Sequence, residues 1–132
     1  MPVIAVDAMG GAFAPEEIVK GVADASLATA IECVLVGDEP RLQAVLDTLS
    51  YDPAHIRIHH AAEAVGMQES PREALRAKRD ASILVGASLV AQGQAEALVS
   101  AGNTGACLLA CARQFRIMDR DGPMADEIKS GI

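Results

Sequence analysis

The residues whose types and spacing come closest to a chemical device lie between Leu98 and Ala106, in the run LVSAGNTGA. An apolar stretch stops at Ser100, glycines follow at Gly102 and Gly105, and Asn103 and Thr104 stand between them. This order predicts a buried strand that ends in a tight polar turn. Gly102 and Gly105 let the backbone turn sharply and come close to a ligand, while Asn103 or Thr104 serves as N-cap of the apolar segment that follows. A helix beginning there directs unpaired N–H groups and the positive end of its dipole at whatever occupies the crevice, an arrangement suited to an anion. Any strand-to-helix connection in a parallel α/β domain wants the same residues, so the turn alone leaves architecture and anion binding both open. It matches neither GxGxxG nor GxxxxGKS/T and gives no motif argument for a dinucleotide or for ATP.

A second glycine loop stands near the start of the chain. Val3 to Val6 is a short apolar run that leads into Asp7-Ala8-Met9-Gly10-Gly11. Asp7, at the end of a buried strand, is placed either to orient a cationic partner or to accept hydrogen bonds from its own Gly10 and Gly11 loop. A third feature is basic: Arg72, Arg76, Lys78 and Arg79 fall within nine positions after Ser70-Pro71-Arg72-Glu73. That tetrapeptide spells a capping box, with Ser70 as N-cap, Pro71 at N1 and Glu73 at N3. The cations that follow are either a solvated helix face or a face turned toward an anion. His60 ends a third strand, and a lone histidine with no partner fixed by the sequence reads as structural. Cys107 and Cys111, four apart, read as small core residues, and no zinc-type cluster is present.

The elements that must position these residues follow from composition and periodicity. The chain has 132 residues, 51% hydrophobic and 22% charged, with only 2% aromatic and no Trp. Its core is therefore built from Ala, Val, Leu and Ile, small side chains that let helices lie close on a sheet. The net charge of −7 repels nucleic acid and anionic membranes, so neither is an expected partner. Three cysteines without a CxxC pair imply reduced thiols and a cytoplasmic protein, and no run is long enough for a transmembrane segment or signal peptide.

Read in order, the first strand and its glycine loop precede a helix starting at Pro15 with Glu16 and Glu17 in its first turn, whose apolar face runs through Ile18, Val19 and Val22 to about Ala30. Cys33 to Val36 is a second buried strand, and Gly37-Asp38-Glu39-Pro40 starts a helix with Leu42, Val45, Leu46 and Leu49 on one face. Ile56 to His59 is a third, more exposed strand. Ala61 to Glu69 is a loop. A short basic helix follows Ser70, and Asp80 caps a helix from Ala81 to Gln92 that is apolar nearly all round and ended by Gly93. The fourth strand is Ala97 to Ser100, and a helix of small residues runs from Ala106 toward Phe115. Strands alternating with helices indicate a layered α/β fold: a mostly parallel sheet with helices on both faces, and ligands bound outside the carboxyl ends of its strands. If the first and fourth strands are neighbours, their loops line one crevice.

VDAMGGAFAPEEIVKG at Val6 to Gly21, SPREALRAKRDASI at Ser70 to Ile83 and LVSAGNTGA together resemble the N-terminal portion of the bacterial phosphate acyltransferases of phospholipid synthesis. The resemblance runs from about Val3 to about Ala112 with the motifs in the family's order. It implies transfer of a fatty acyl group from acyl carrier protein to inorganic phosphate, giving an acyl phosphate. It also implies a fold similar to the isocitrate and isopropylmalate dehydrogenases, a homodimer, no redox cofactor and no metal. On this reading Asp7 and Asn103 are the catalytic side chains. Gly10, Gly11, Lys78, Ser100, Gly102, Thr104 and Gly105 bind phosphate or substrate. Phosphate is already anionic and needs positioning more than deprotonation, and backbone N–H groups from Gly102 to Gly105 can hold it or the oxyanion of the thioester carbonyl. The basic segment either neutralises phosphate or meets the acidic carrier protein.

Two departures from the family pattern stand out. Ala12 occupies the position of a second acid in the family's DAMGGD loop. After about Arg113 the chain reads FRIMDRDGPMADEIKSGI, so residues 1–113 are expected to be the α/β portion and 114–132 a divergent polar tail. Family members are more than twice as long, which implies that the half closing the cleft is missing. The alternative is a truncated, catalytically incompetent module that at most binds an anion or pairs with another subunit.

Overall fold

The computed structural model describes residues 1–115, and the tail expected from residue 114 lies outside them except for Gln114 and Phe115. Nine elements follow the order β1 (Val3–Asp7), α1 (Glu16–Ala28), β2 (Glu32–Gly37), α2 (Glu39–Leu46), β3 (Ile56–His60), α3 (Pro71–Ala77), α4 (Ser82–Ala91), β4 (Ala97–Val99) and α5 (Thr104–Gln114). The strands form one parallel sheet in the order β3-β2-β1-β4, as the alternation of strands and helices predicts.

Both faces of this sheet are covered, which is why its inner strands read as unbroken apolar runs. Along β2, Cys33 and Leu35 pack with Val19, Val22, Leu42 and Leu46 of α1 and α2. Val34 and Val36 point the other way and join Ala5 of β1 and Leu89 of α4. A third cluster, largely of alanines, knits α3, α4 and α5 together through Ala74, Leu75, Ile83, Ala87, Ala106 and Leu109. The two edge strands are more open: in β3 Ile56 is buried while Arg57, His59 and His60 are exposed, and in β4 Ala97 and Val99 are exposed on either side of a half-buried Leu98.

Burial also governs the thiols. The Cys33 sulfhydryl is pushed above its ordinary range by desolvation, with Glu32 adding to the effect. That of Cys111 is raised to about 11 by burial and by neighbouring Cys107. Cys33 is a core residue, Cys107 packs half-buried against the helix cluster and Cys111 is half-buried beside it, and among the described residues no cluster of three metal-ligating side chains occurs.

Three helix starts differ from expectation. Pro15, expected at the first helical position of α1, is its N-cap, and the helix begins at Glu16. Ser70 is the N-cap of α3, but its side chain makes no capping hydrogen bond. Ser70 and Glu73 are exposed, where water competes with a side-chain cap, and Pro71 has already removed one donor. Asp80 does not cap α4; Ala81 does. The residues around it form a small parallel bridge to the preceding loop, with Asp80 accepting from the Glu63 N–H and Ser82 donating its N–H to the Glu63 carbonyl at 2.9 Å. At the other end of α4 the expectation holds. Gly93 adopts φ +80°, and the N–H groups of Gly93 and Gln94 return to the carbonyls of Val90 and Leu89, a Schellman stop that delivers the chain into β4.

Candidate functional site

The strand order fixes where a ligand site belongs. From β1 the chain winds outward through β2 to β3, and β4 is then laid on the opposite side of β1. Connections on the two sides of β1 diverge, so a crevice opens outside the carboxyl ends of β1 and β4. Those ends carry the Asp7–Gly11 loop and the Ser100–Gly105 turn, the two segments singled out from the sequence.

The two loops touch through glycines. A Cβ at Gly10 would stand 2.6 Å from Oδ2 of Asp7 and 3.0 Å from both Cα and N of Gly102. A Cβ at Gly102 would in turn stand 3.0 Å from Cα of Gly10. Gly11 adopts φ +117°, a backbone state that L side chains avoid, and turns the loop away over Ala101. Gly102 and Gly105 do not use positive φ. What they supply is closeness: Gly102 lies against Gly10, and a Cβ at Gly105 would meet Pro71 Cγ at 2.6 Å, so the start of α5 is pressed onto the start of α3.

Asp7 is the hub beneath this crossing. It is only 4% exposed, and its Oδ1 accepts from the Ser82 hydroxyl at 2.5 Å and from the Met9 N–H at 3.2 Å. Its Oδ2 accepts from the Ser100 hydroxyl at 3.1 Å, and Ser100 Oγ accepts from the Gly102 N–H. One carboxylate thus binds the start of α4, its own loop and the β4 turn. Of the two roles the sequence left open, the structure shows the hydrogen-bonding one, through Met9 where Gly10 and Gly11 were expected. No ion pair to Asp7 occurs among the described residues.

Asn103 is the N-cap of α5, its Oδ1 accepting from the Ala106 N–H at 3.1 Å. Its amide donates to the carbonyls of Gly66 and Glu69, so the same side chain pins the 64–69 loop to the helix start. Lys78 fastens that loop from the other side, its Nζ lying 2.7 Å and 2.9 Å from the Glu69 oxygens and 2.8 Å from the Ala64 carbonyl. The cleft of about 440 Å³ between the loops is lined by Met9, Gly11, Lys78 and residues 64–69. Of the expected site residues, Gly10, Ser100 and Gly102 converge on Asp7, while Gly11 lies over Ala101 and Asn103 joins the 64–69 loop to α5. Lys78 reaches the cleft but already holds a carboxylate. Thr104 and Gly105 are exposed, and among the described residues no group accepts from their N–H groups. His60 serves the fold, its Nδ1 accepting from the Glu39 N–H at the start of α2.

The pairing of Lys78 with Glu69 gives the loop a defined response to acid. The Lys78 hydrogen bond, with the Gly66 N–H assisting, holds the Glu69 carboxyl below its ordinary value of 4.5. Because the folded value is the lower one, the contribution of this clamp is complete above 4.5 and is lost as the pH falls through the folded value. A carbon-13 titration of the side-chain carboxyls should show the Glu69 midpoint below 4.5, and Lys78→Gln should raise it. A midpoint that Lys78→Gln leaves unmoved would remove the clamp.

Sequence reading missed Ser82, the buried hydroxyl that completes the Asp7 cluster; it is 1% exposed. Its one signal was a polar residue opening a helix that is otherwise apolar all round. It also missed the fastening of the 64–69 loop, whose partners lie far away in sequence.

The family model described as fatty acid synthesis protein matches residues 2–120. Among similar curated proteins, the phosphate acyltransferase of Desulfitobacterium hafniense is 50% identical over 107 residues, covering 81% of this chain and 32% of the relative. That of Moorella thermoacetica is 47% identical over 118 residues, covering 86% and 34%. That of Acetivibrio thermocellus is 42% identical over 107 residues, covering 80% and 32%. The chain thus spans about a third of the length of the curated relatives it matches.

Proposed function

Because the chain belongs to the fatty acid synthesis protein family, we propose that it supplies the phosphate-holding wall of a phosphate acyltransferase, which moves a fatty acyl group from acyl carrier protein to inorganic phosphate. The observation that carries this reading is the pair of N–H groups at Thr104 and Gly105, without an acceptor among the described residues, at the start of an eleven-residue helix and at the strand ends where the winding of the sheet reverses. Gly102 leaves the expected cradle, since its N–H is committed to Ser100. The cradle narrows to Thr104 and Gly105, with the Thr104 hydroxyl beside them.

In the reaction, a phosphate oxygen attacks the thioester carbonyl carbon, a C–O bond forms, the C–S bond breaks, and the sulfur leaves with the electron pair and takes up a proton. Phosphate carries its own negative charge, so the protein's task is to hold it in line and to stabilise charge on the carbonyl oxygen. The two N–H groups and the helix dipole suit the first task directly. Asp7 acts as a positioning residue: it touches Ser82, Ser100 and Met9, and through them sets the loop crossing. Asn103 positions the helix start and the 64–69 loop together. Catalysis by the whole enzyme also draws on the part of the relatives that this chain does not span, as does a homodimer.

Thr104→Pro tests the cradle cleanly. Proline is well accepted at the first helical position and removes one N–H and the hydroxyl without disturbing the helix. Calorimetric titration of inorganic phosphate should show affinity weakened about tenfold or more, the worth of one hydrogen bond to a charged group. Unchanged affinity would move the phosphate elsewhere.

The second reading, a module that pairs with another subunit, is favoured by the free edge of the sheet. Val99 of β4 and Leu108 of α5 are 54% and 59% exposed, unusual for apolar residues beside a parallel sheet. Phosphate binding without acyl phosphate formation by this chain favours the module; turnover excludes it.

A further inference from the structure

Cys107 and Cys111 stand one turn apart on α5, and their side chains hydrogen-bond to one another. Both are half-buried, so each packs on the fold yet keeps an open side. The helix that carries them is tightly seated: Ala106, Leu109 and Ala110 are 1%, 6% and 0% exposed, and with Cys107 they join the cluster that packs α3, α4 and α5 together. A helix held by close packing does not roll, and the two sulfurs keep their relative position. Cys33 is buried in a different cluster, against α1 and α2.

We infer that Cys107 and Cys111 form a two-thiolate site for a soft monovalent cation, copper(I) being the ion the pair suits. Softness is the first condition. Thiolates select copper(I) and zinc over the hard ions that oxygen ligands hold. The number of donors then decides between these two. Among the described residues no third Cys, His, Asp or Glu joins the pair. Structural zinc takes four ligands, whereas copper(I), a filled-shell ion of lower charge, is satisfied by two thiolates in a line. Fit is the last condition. Side chains at i and i+4 of a helix have Cβ atoms about 5–6 Å apart. Two metal–sulfur bonds of about 2.3 Å each, laid end to end, span about 4.6 Å, so the ion bridges the pair without unwinding a turn.

Binding exchanges protons for metal. Two S–H bonds break, two Cu–S bonds form and two protons pass to solvent, while copper stays in its +1 state and no oxidant is needed. The complex carries one net negative charge. Cys107 lies in the first turn of α5, where the positive end of the helix dipole offsets part of that charge. The inference stands apart from the acyltransferase reading and needs neither phosphate nor acyl donor.

The test is an anaerobic titration of the full, reduced 132-residue chain against the coloured copper(I) complex of bicinchoninate. The chain should withdraw one copper(I) per molecule. Cys107→Ser and Cys111→Ser should each weaken binding at least about 100-fold, because one thiolate leaves the ion half-coordinated, while Cys33→Ser should stay within about twofold. Zinc should bind at least about 100-fold more weakly than copper(I), since two donors leave its shell incomplete. X-ray absorption of the copper-loaded, unaltered chain should show two sulfur neighbours per ion and no nitrogen or oxygen, a readout that depends on no variant folding. Failure to withdraw copper, full affinity in either of the variants at 107 and 111, an equal loss in Cys33→Ser, a preference for zinc, or a third neighbour on the metal would overturn the site. One copper shared by two chains, seen as added mass in light scattering, would also overturn it, in favour of a contact between copies.

Discussion

Gly10→Ala is expected to destabilise the chain by about 2–3 kcal/mol and to weaken phosphate binding, because the added methyl has nowhere to go. It would sit 2.6 Å from Oδ2 of Asp7 and 3.0 Å from the backbone of Gly102. Neither neighbour is the free end of a flexible side chain. Asp7 is held by three donors, and Gly102 is backbone tied to Ser100. Relief therefore requires the β1 loop and the β4 turn to separate, which shifts the start of α5 and its two free N–H groups. Gly21→Ala is the control: a Cβ there meets nothing within 4 Å, and in the helix interior the change should be neutral or stabilising by up to about 1 kcal/mol. Chemical denaturation and phosphate titration on both variants check the pair. A Gly10→Ala chain with unaltered stability would mean that the two loops do not cross as described.

Asp7→Ala is expected to cost about 3 kcal/mol, since it removes three hydrogen bonds and strands the buried Ser82 hydroxyl. The size of this loss separates positioning from direct chemistry. A carboxylate that acted on substrate alone could be removed with little change in stability, whereas this one joins β1, α4 and the β4 turn. Ser82→Ala should cost less, about 1–2 kcal/mol, because it takes away one of the three donors. The double variant should fall well short of the sum, with a coupling of about 1 kcal/mol or more between two residues in contact. Strict additivity, or a loss below about 1 kcal/mol for Asp7→Ala, would return Asp7 to the list of groups free to meet substrate.

The layered α/β fold was legible in the sequence because its signals are local: apolar runs of strand length, glycine and proline punctuation, and helices with one apolar face. Both glycine loops were visible for the same reason, and the neighbouring positions of β1 and β4 brought them together. Less legible was why each glycine is there. Gly102 and Gly105 were read as room for a ligand, yet their nearest neighbours are Gly10 and Pro71, contacts set by tertiary packing. Capping also misled at Ser70 and Asp80. At the first, exposure lets water compete with the side chain. At the second, a bridge to Glu63, seventeen residues away, claims the backbone. The bonds of Asp7 span 75 and 93 residues to Ser82 and Ser100, beyond any local pattern.

The described helices include none long and apolar enough to cross a membrane. The central claim is that an anion is held at the start of α5, by the N–H groups of Thr104 and Gly105. An amide proton–nitrogen spectrum recorded during a titration with inorganic phosphate tests it most directly. The amides of Thr104 and Gly105 should move furthest and follow one saturating curve, with Gly102 nearly still because its N–H already serves Ser100. Phosphate that shifts other amides while leaving Thr104 and Gly105 in place would contradict the account.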